Sequence, residues 1–208
     1  MSSSEALEAH AQSEVLLERY RRRTSEVLDR IDLSAVAAAV ERLVDAWERG
    51  ALILLTGNGG SASTASHFAN DLVKATRVPG GRPFRAVSLG DNVASLTAQA
   101  NDHGYESVFS AQMNGLFGPG DVLIAISASG DSPNVVAAAQ RARELGGTTI
   151  ALTGFTGGRL AELAQDVIHV PTEPGEYGPV EDCHLILNHM ITGALLDRVR
   201  ASVDGGPE

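Results

Sequence analysis

Cysteine is almost missing from this chain. Cys183 is the one thiol among 208 residues, so no intramolecular disulfide can form. That excludes a disulfide scaffold and agrees with a reducing compartment, the cytoplasm being the expectation. Basic side chains are also short: 16 Lys and Arg face 26 Asp and Glu, a formal net charge of −10. A nucleic-acid partner gripped through its phosphates calls for basic patches and is not expected. A single small phosphate remains open to it, because a few hydroxyls and backbone N–H groups suffice locally. No run approaches the ~18 apolar residues of a membrane helix, and the opening MSSSEALEAHAQSEVLLERYRRR has no apolar stretch resembling a signal peptide.

What remains is ordinary globular material, 43% hydrophobic and 20% charged, of a length suited to one well-buried domain. From about Ser13 to Arg49 the apolar residues recur at helical spacing: Leu16, Leu17, Tyr20, Val27, Leu28 and Ile31, then Val36, Val40, Leu43, Val44 and Trp47. Asp32-Leu33-Ser34 separates two helices, with Ser34 expected as the second N-cap and Gly50 as the C-cap. The pattern then changes. Five short apolar runs, Ala51–Thr56, Phe84–Leu89, Asp121–Ser127, Thr148–Thr153 and Asp166–Val170, alternate with helical stretches. Most of the runs are apolar on both faces, as strands of a doubly covered parallel sheet are. The expectation is an α/β three-layer sandwich around a five-stranded parallel sheet. Residues 1–49 would be a helical segment used in oligomer packing, 50–200 the α/β domain with a last helix over about Val180–Arg200, and 201–208 a loose tail.

Ligands bind open parallel sheets at the carboxyl ends of the strands. There the first strand runs into Thr56-Gly57-Asn58-Gly59-Gly60-Ser61, the third into Ser127-Ala128-Ser129-Gly130-Asp131-Ser132-Pro133-Asn134, and the fourth into Thr153-Gly154-Phe155-Thr156-Gly157-Gly158. Glycines allow close backbone approach, and serine hydroxyls with the free N–H groups of a following helix suit an anion. The first loop has no Gly-Lys-Ser/Thr ending and lacks the full dinucleotide spacing, which favours a small phosphate over a nucleotide. His67 and Asp71 lie four residues apart on the helix after the first loop and share a face. Glu181 and His189 lie eight apart on the last helix, close to one face over two turns. Two histidines and two carboxylates brought together would suit a divalent metal such as zinc.

The runs GNGGSASTASHFANDL, SLTAQANDHGYESVFSAQ, GDVLIAISASGDSPNVVAAAQRARELG and ALTGFTGGRLAELA, in this order, closely resemble the sugar-isomerase (SIS) domain family, and within it the phosphoheptose isomerase branch. The resemblance covers about Leu43 to Arg198. It implies that Ser127, Ser129 and Ser132 bind the phosphate with Asn58, Gly59 and Ser61, and that Asn101 and Asp102 lie near the sugar. It also implies a homotetramer with active sites built between subunits. The chain departs from the branch's pattern in two carboxylates: Asp71 stands where a glutamate is usual, and Glu181 where a glutamine is.

The reaction implied is aldose–ketose isomerisation of a sugar phosphate, sedoheptulose 7-phosphate first, through a cis-enediol. Asp71 and His189 are the candidate base and acid, in either assignment. A metal on His67, Asp71, Glu181 and His189 would act as a Lewis acid in competition with that proton shuttle. The alternative is a non-catalytic sugar-phosphate-binding regulatory or assembly module on the same fold.

Overall fold

The structure is a computed structural model and describes residues 3–205. Two helices lead: α1 (Ser3–Leu28) and α2 (Leu33–Arg49). An alternating series follows: β1 (Leu52–Thr56), α3 (Gly60–Lys74), β2 (Arg85–Ser88), α4 (Val93–His103), β3 (Val122–Ser127), α5 (Pro133–Glu144), β4 (Thr148–Thr153), α6 (Gly158–Leu163) and β5 (Asp166–His169). A long helix, α7 (Tyr177–Asp204), closes the chain. All strand pairs are parallel, in the order β2-β1-β3-β4-β5. The expected five-stranded sheet is therefore present, and the order reverses between β1 and β3.

Alternation along the central strands builds two cores. Ile53, Leu55, Ile124 and Ile126 face α2, α3 and α7, packing with Leu43, Phe68 and Leu187. Leu54, Leu123 and Ala125 face the other way, onto Val135 and Ala139 of α5 and Phe109 of the α4–β3 connection. Each fully buried large apolar side chain contributes roughly 1.5–3 kcal/mol, so both layers are needed to hold the sheet.

α2 starts at Asp32, not at the expected Ser34: the Asp32 carboxylate accepts the Ser34 N–H at 2.8 Å. Gly50 ends it in the left-handed region at φ 69°. Its apolar stripe joins the sheet's own core, so α2 belongs to the α/β body. α1 begins well before Ser13 and leaves Val15, Leu16 and Leu17 exposed. It is tied to the start of α7 by Tyr20, whose hydroxyl donates to Asp182 at 2.6 Å, and by Arg23, which grips Glu176 through two bonds of 2.8 and 2.6 Å. Part of the segment expected as a loose tail is helical, since α7 continues to Asp204, and residues 206–208 lie outside the described residues. Among the described residues no helix is long and apolar enough to cross a membrane.

Candidate active site

The sheet's reversal between β1 and β3 opens a crevice where two strand-to-helix loops meet. Their side chains join across it. Asn58 donates to Asn134 Oδ1 at 2.8 Å, and Asn134 donates back to Asn58 Oδ1 at 2.9 Å. The Tyr105 hydroxyl adds a third bond, to Asn58 Oδ1 at 2.9 Å. Neither Asn134 nor Tyr105 was expected from the sequence. Both stand inside the runs that carry the family resemblance, but neither was singled out as a site residue.

Beneath this pair lies a cavity of about 140 Å³ lined by Asn58, Ser61, Ser127, Ser129 and Ser132, with Tyr177 and Glu181 on its far wall. Ser127 and Ser132 face each other with hydroxyls 3.2 Å apart. The Ser127 hydroxyl accepts the Gly130 N–H at 3.1 Å, and Ser129 accepts that of Asp131 at 3.2 Å, which curls the loop. Gly130 is required there. It sits at φ 71°, and a Cβ would lie 1.9 Å from the Gly157 carbonyl oxygen. The β4 loop thus backs the serine loop, as Gly154 N–H to Ala128 O and Leu160 N–H to Gly130 O, both 2.9 Å, also do. Among the described residues no lysine or arginine lines the cavity, so what it offers an anion is hydroxyl and N–H dipoles at the starts of α3 and α5, beside the Glu181 carboxylate. Larger hollows exist, such as one of about 480 Å³ beside Trp47, Arg82 and Val203, but they gather no comparable set of hydroxyls.

Gly59 is the residue before α3, at φ 54°, and does not line the cavity. Asn101 and Asp102 lie exposed in the last turn of α4, bonded to each other at 2.8 Å, and this chain does not bring them to the cavity.

A second group forms where α3 and α7 run side by side. His67 Nε2 and His189 Nε2 approach to 3.2 Å, and Asp71 Oδ2 stands 3.1 Å from the first and 3.9 Å from the second. Two imidazole nitrogens that close need a shared proton or a cation between them. Tetrahedral bonds of about 2.0–2.1 Å to nitrogen and oxygen would set neighbouring donors roughly 3.3 Å apart, so the three atoms suit a metal ion. Glu181, expected as a fourth ligand, is not in this group. Eight residues turn α7 about 80° past the starting face and advance about 12 Å along the axis, and the Glu181 carboxylate lies instead over Gly60 at the serine cavity. The buried Asn188 was also unforeseen; it donates to Asp71 Oδ2 at 3.1 Å.

Two further titratable groups of α7 are structural. His184 is fully buried, and its Nε2 meets the Thr153 carbonyl at 3.3 Å. Burial pushes its imidazole down to about 4, partly countered by that carbonyl. Cys183 is buried among apolar neighbours, which drives its thiol up to about 11, and it is unreactive for that reason.

Comparison with known proteins agrees with this geometry. The SIS domain family profile matches residues 19–154. The phosphoheptose isomerase of Mycobacterium tuberculosis is 40% identical over 184 residues, covering 88% of this chain and 92% of that protein. That of Chlorobaculum parvum is 39% identical, covering 86% of each. The phosphoheptose isomerase structure from Neisseria gonorrhoeae superposes with a TM-score of 0.74 at 31% identity, covering 95% of this chain and all of that one. A hydroxyl-lined crevice at the switch point of a five-stranded parallel sheet and these likenesses lead to one assignment: the chain belongs to the SIS domain family, in its phosphoheptose isomerase branch.

Proposed function

We propose that this chain is an aldose–ketose isomerase that converts sedoheptulose 7-phosphate to a heptose 7-phosphate. The observation that carries the reading is a spacing. α3 and α7 run in the same direction, Gly60 against Glu181 at one end and His67 against His189 at the other. From Ser61 at the cavity to His67 at the histidine pair is roughly 9 Å of helix. The carbonyl carbon of a seven-carbon 2-ketose lies seven bonds from its phosphorus, roughly 8 Å at about 1.2 Å per extended bond. A five-carbon analogue reaches only about 6 Å on the same scale.

In this reading Ser127, Ser129 and Ser132, with Asn58 and Ser61, donate to the phosphate oxygens, and Gly59 lets the loop turn close to them. Asp71 and His189 handle the protons. One removes the proton from the carbon beside the carbonyl, giving a cis-enediol, and the other returns a proton to the neighbouring carbon. Asp71 Oδ2 is occupied by Asn188 and His67, while Oδ1 has no hydrogen-bond partner among the described residues, so Oδ1 is the atom offered to a proton. A zinc ion held by His67, Asp71 and His189 would instead supply Lewis-acid polarisation of the carbonyl, and because it would occupy the same donor atoms that role competes with the proton shuttle. The exposure of Val15, Leu16 and Leu17 on α1, and of Asn101 and Asp102 on α4, supports a homotetramer whose sites are completed between subunits. The lone buried cysteine agrees with a cytoplasmic setting.

The test is a panel of ketose phosphates of five to seven carbons, with the aldose product measured directly. Turnover rising with length to seven carbons is expected. A second reading, a sugar-phosphate-binding regulatory module without turnover, has one observation on its side: the Glu181 carboxylate faces the anion cavity. Binding across the panel with no product would select that reading.

A further inference from the structure

We propose that Asn188 is the positioning residue of the histidine–aspartate cluster, acting through Asp71 to set the cluster's affinity for a divalent cation. The inference rests on the cation-binding reading of His67, Asp71 and His189.

Asn188 precedes His189 on α7 and points inward, with none of its surface exposed. A buried primary amide is costly unless its donors and acceptor are met. Both ends are met here, and by different groups. Nδ2 donates to Asp71 Oδ2 at 3.1 Å, and Oδ1 accepts from the Thr192 hydroxyl at 3.2 Å, one turn further along α7. The chemistry fixes the direction of the amide. An ionised carboxylate only accepts, so the NH2 must face Asp71, and the rotatable Thr192 hydroxyl supplies the proton that the carbonyl end takes.

The three cluster residues are not held alike. The His67 and His189 side chains are 46% and 56% exposed and are reached from solvent, whereas that of Asp71 is 14% exposed. Asp71 is therefore the inner member, and among the described residues the buried Asn188 amide fastens it from the core side. Its neutrality matters. A lysine or arginine in the same place would fix the carboxylate but cancel the charge that attracts a cation, while an amide directs Oδ2 between the imidazoles and leaves that charge intact. Hydrogen bonds of this outer kind are worth about 10–100-fold in metal affinity.

The experiment uses the full-length chain, stripped of metal and reloaded with Zn(II) against a chromophoric chelator, and separately with Co(II) to read its visible absorption. Asn188→Leu keeps the branched shape, with somewhat more bulk, and removes the donor. Thr192→Val, nearly isosteric, removes only the hydroxyl that orients the amide and serves as the second variant should Asn188→Leu unfold, which thermal melting would report. The expected result is a 10–100-fold weaker Zn(II) affinity and a changed Co(II) spectrum for Asn188→Leu, with about threefold to tenfold weakening for Thr192→Val. Zn(II) affinity within twofold of the parent and an unchanged Co(II) spectrum in whichever variants fold would overturn the positioning role. A parent chain that takes up neither metal would overturn the cation reading itself, and this proposal with it.

Discussion

His67 Nε2 and His189 Nε2 stand 3.2 Å apart although 122 residues separate them in the chain. The contact exists because α3 and α7 pack in parallel against one face of the sheet, and each presents its imidazole at the same height. Neither ring is buried, so the pair is open to a ligand, and Asp71 closes the third side.

Removal of metal tests that arrangement first. Exhaustive chelation should abolish most of the isomerase activity, and added Zn(II) should restore it. Replacing His67 by alanine should produce the same loss without restoration. Full activity after verified metal removal would leave Asp71 and His189 as a proton-handling pair working alone.

The serine loop makes a separate prediction. Changing Ser129 and Ser132 together to alanine deletes two hydroxyls that line the cavity proposed for the phosphate, each worth about 1.5–3 kcal/mol if it donates to a charged acceptor. KM for the phosphorylated substrate should rise by at least about tenfold, with a smaller effect on kcat. Unchanged KM would move the anion site elsewhere.

Two glycines should respond very differently to alanine. At Gly130 the new methyl would strike the Gly157 backbone carbonyl in a left-handed conformation, so a loss of several degrees in Tm is expected, from on the order of 2–4 kcal/mol. At Gly60 the nearest atoms to the new methyl are those of the Glu181 carboxylate, 2.2 Å away, at the far end of a flexible side chain. Gly60→Ala should melt close to the parent and displace Glu181 from the cavity wall. Similar melting of both variants would contradict the contrast.

Acid should weaken the fold in a defined window. An unfolded chain protonates His184 near the ordinary 6.5, while burial holds the folded imidazole down to about 4. Between those values the unfolded state carries the extra proton, so stability falls as pH falls and levels off below about 4, by on the order of 3 kcal/mol. Glu176 acts in the same direction further down: its hydrogen-bonded pairing with Arg23 lowers its carboxyl to about 2, and that contribution fades as pH drops from about 4.5 through about 2. Chemical denaturation at several pH values would trace both, and His184→Gln should flatten the upper part alone.

Much of this was legible in the residues themselves. The central strands are apolar on both sides because helices cover both, so their runs could be read within a residue or two. The edge strand β2 is shorter than its apolar run, since only one neighbour bonds to it. His67 and Asp71 were readable as a pair because four residues return a helix to the same face. Glu181 misled because eight residues of α7 carry it about 12 Å along the axis and about 80° around it from His189, so the two do not meet at one point. Asn134, Tyr105 and Asn188 could not be read, since their partners lie 76, 47 and 117 residues away. The N-terminus of α1 was also missed. Glu5 and residues 8–14 are exposed, and the stretch carries no apolar period to announce it.

The amide pair of Asn58 and Asn134 has a kinetic consequence. Each side chain satisfies the other, so the loops after β1 and β3 are latched together before any guest arrives, and neither can drift without stranding a polar group. Capture of a sugar phosphate should then proceed at a rate set by encounter rather than by loop rearrangement, and breaking the latch should slow arrival as well as hasten escape.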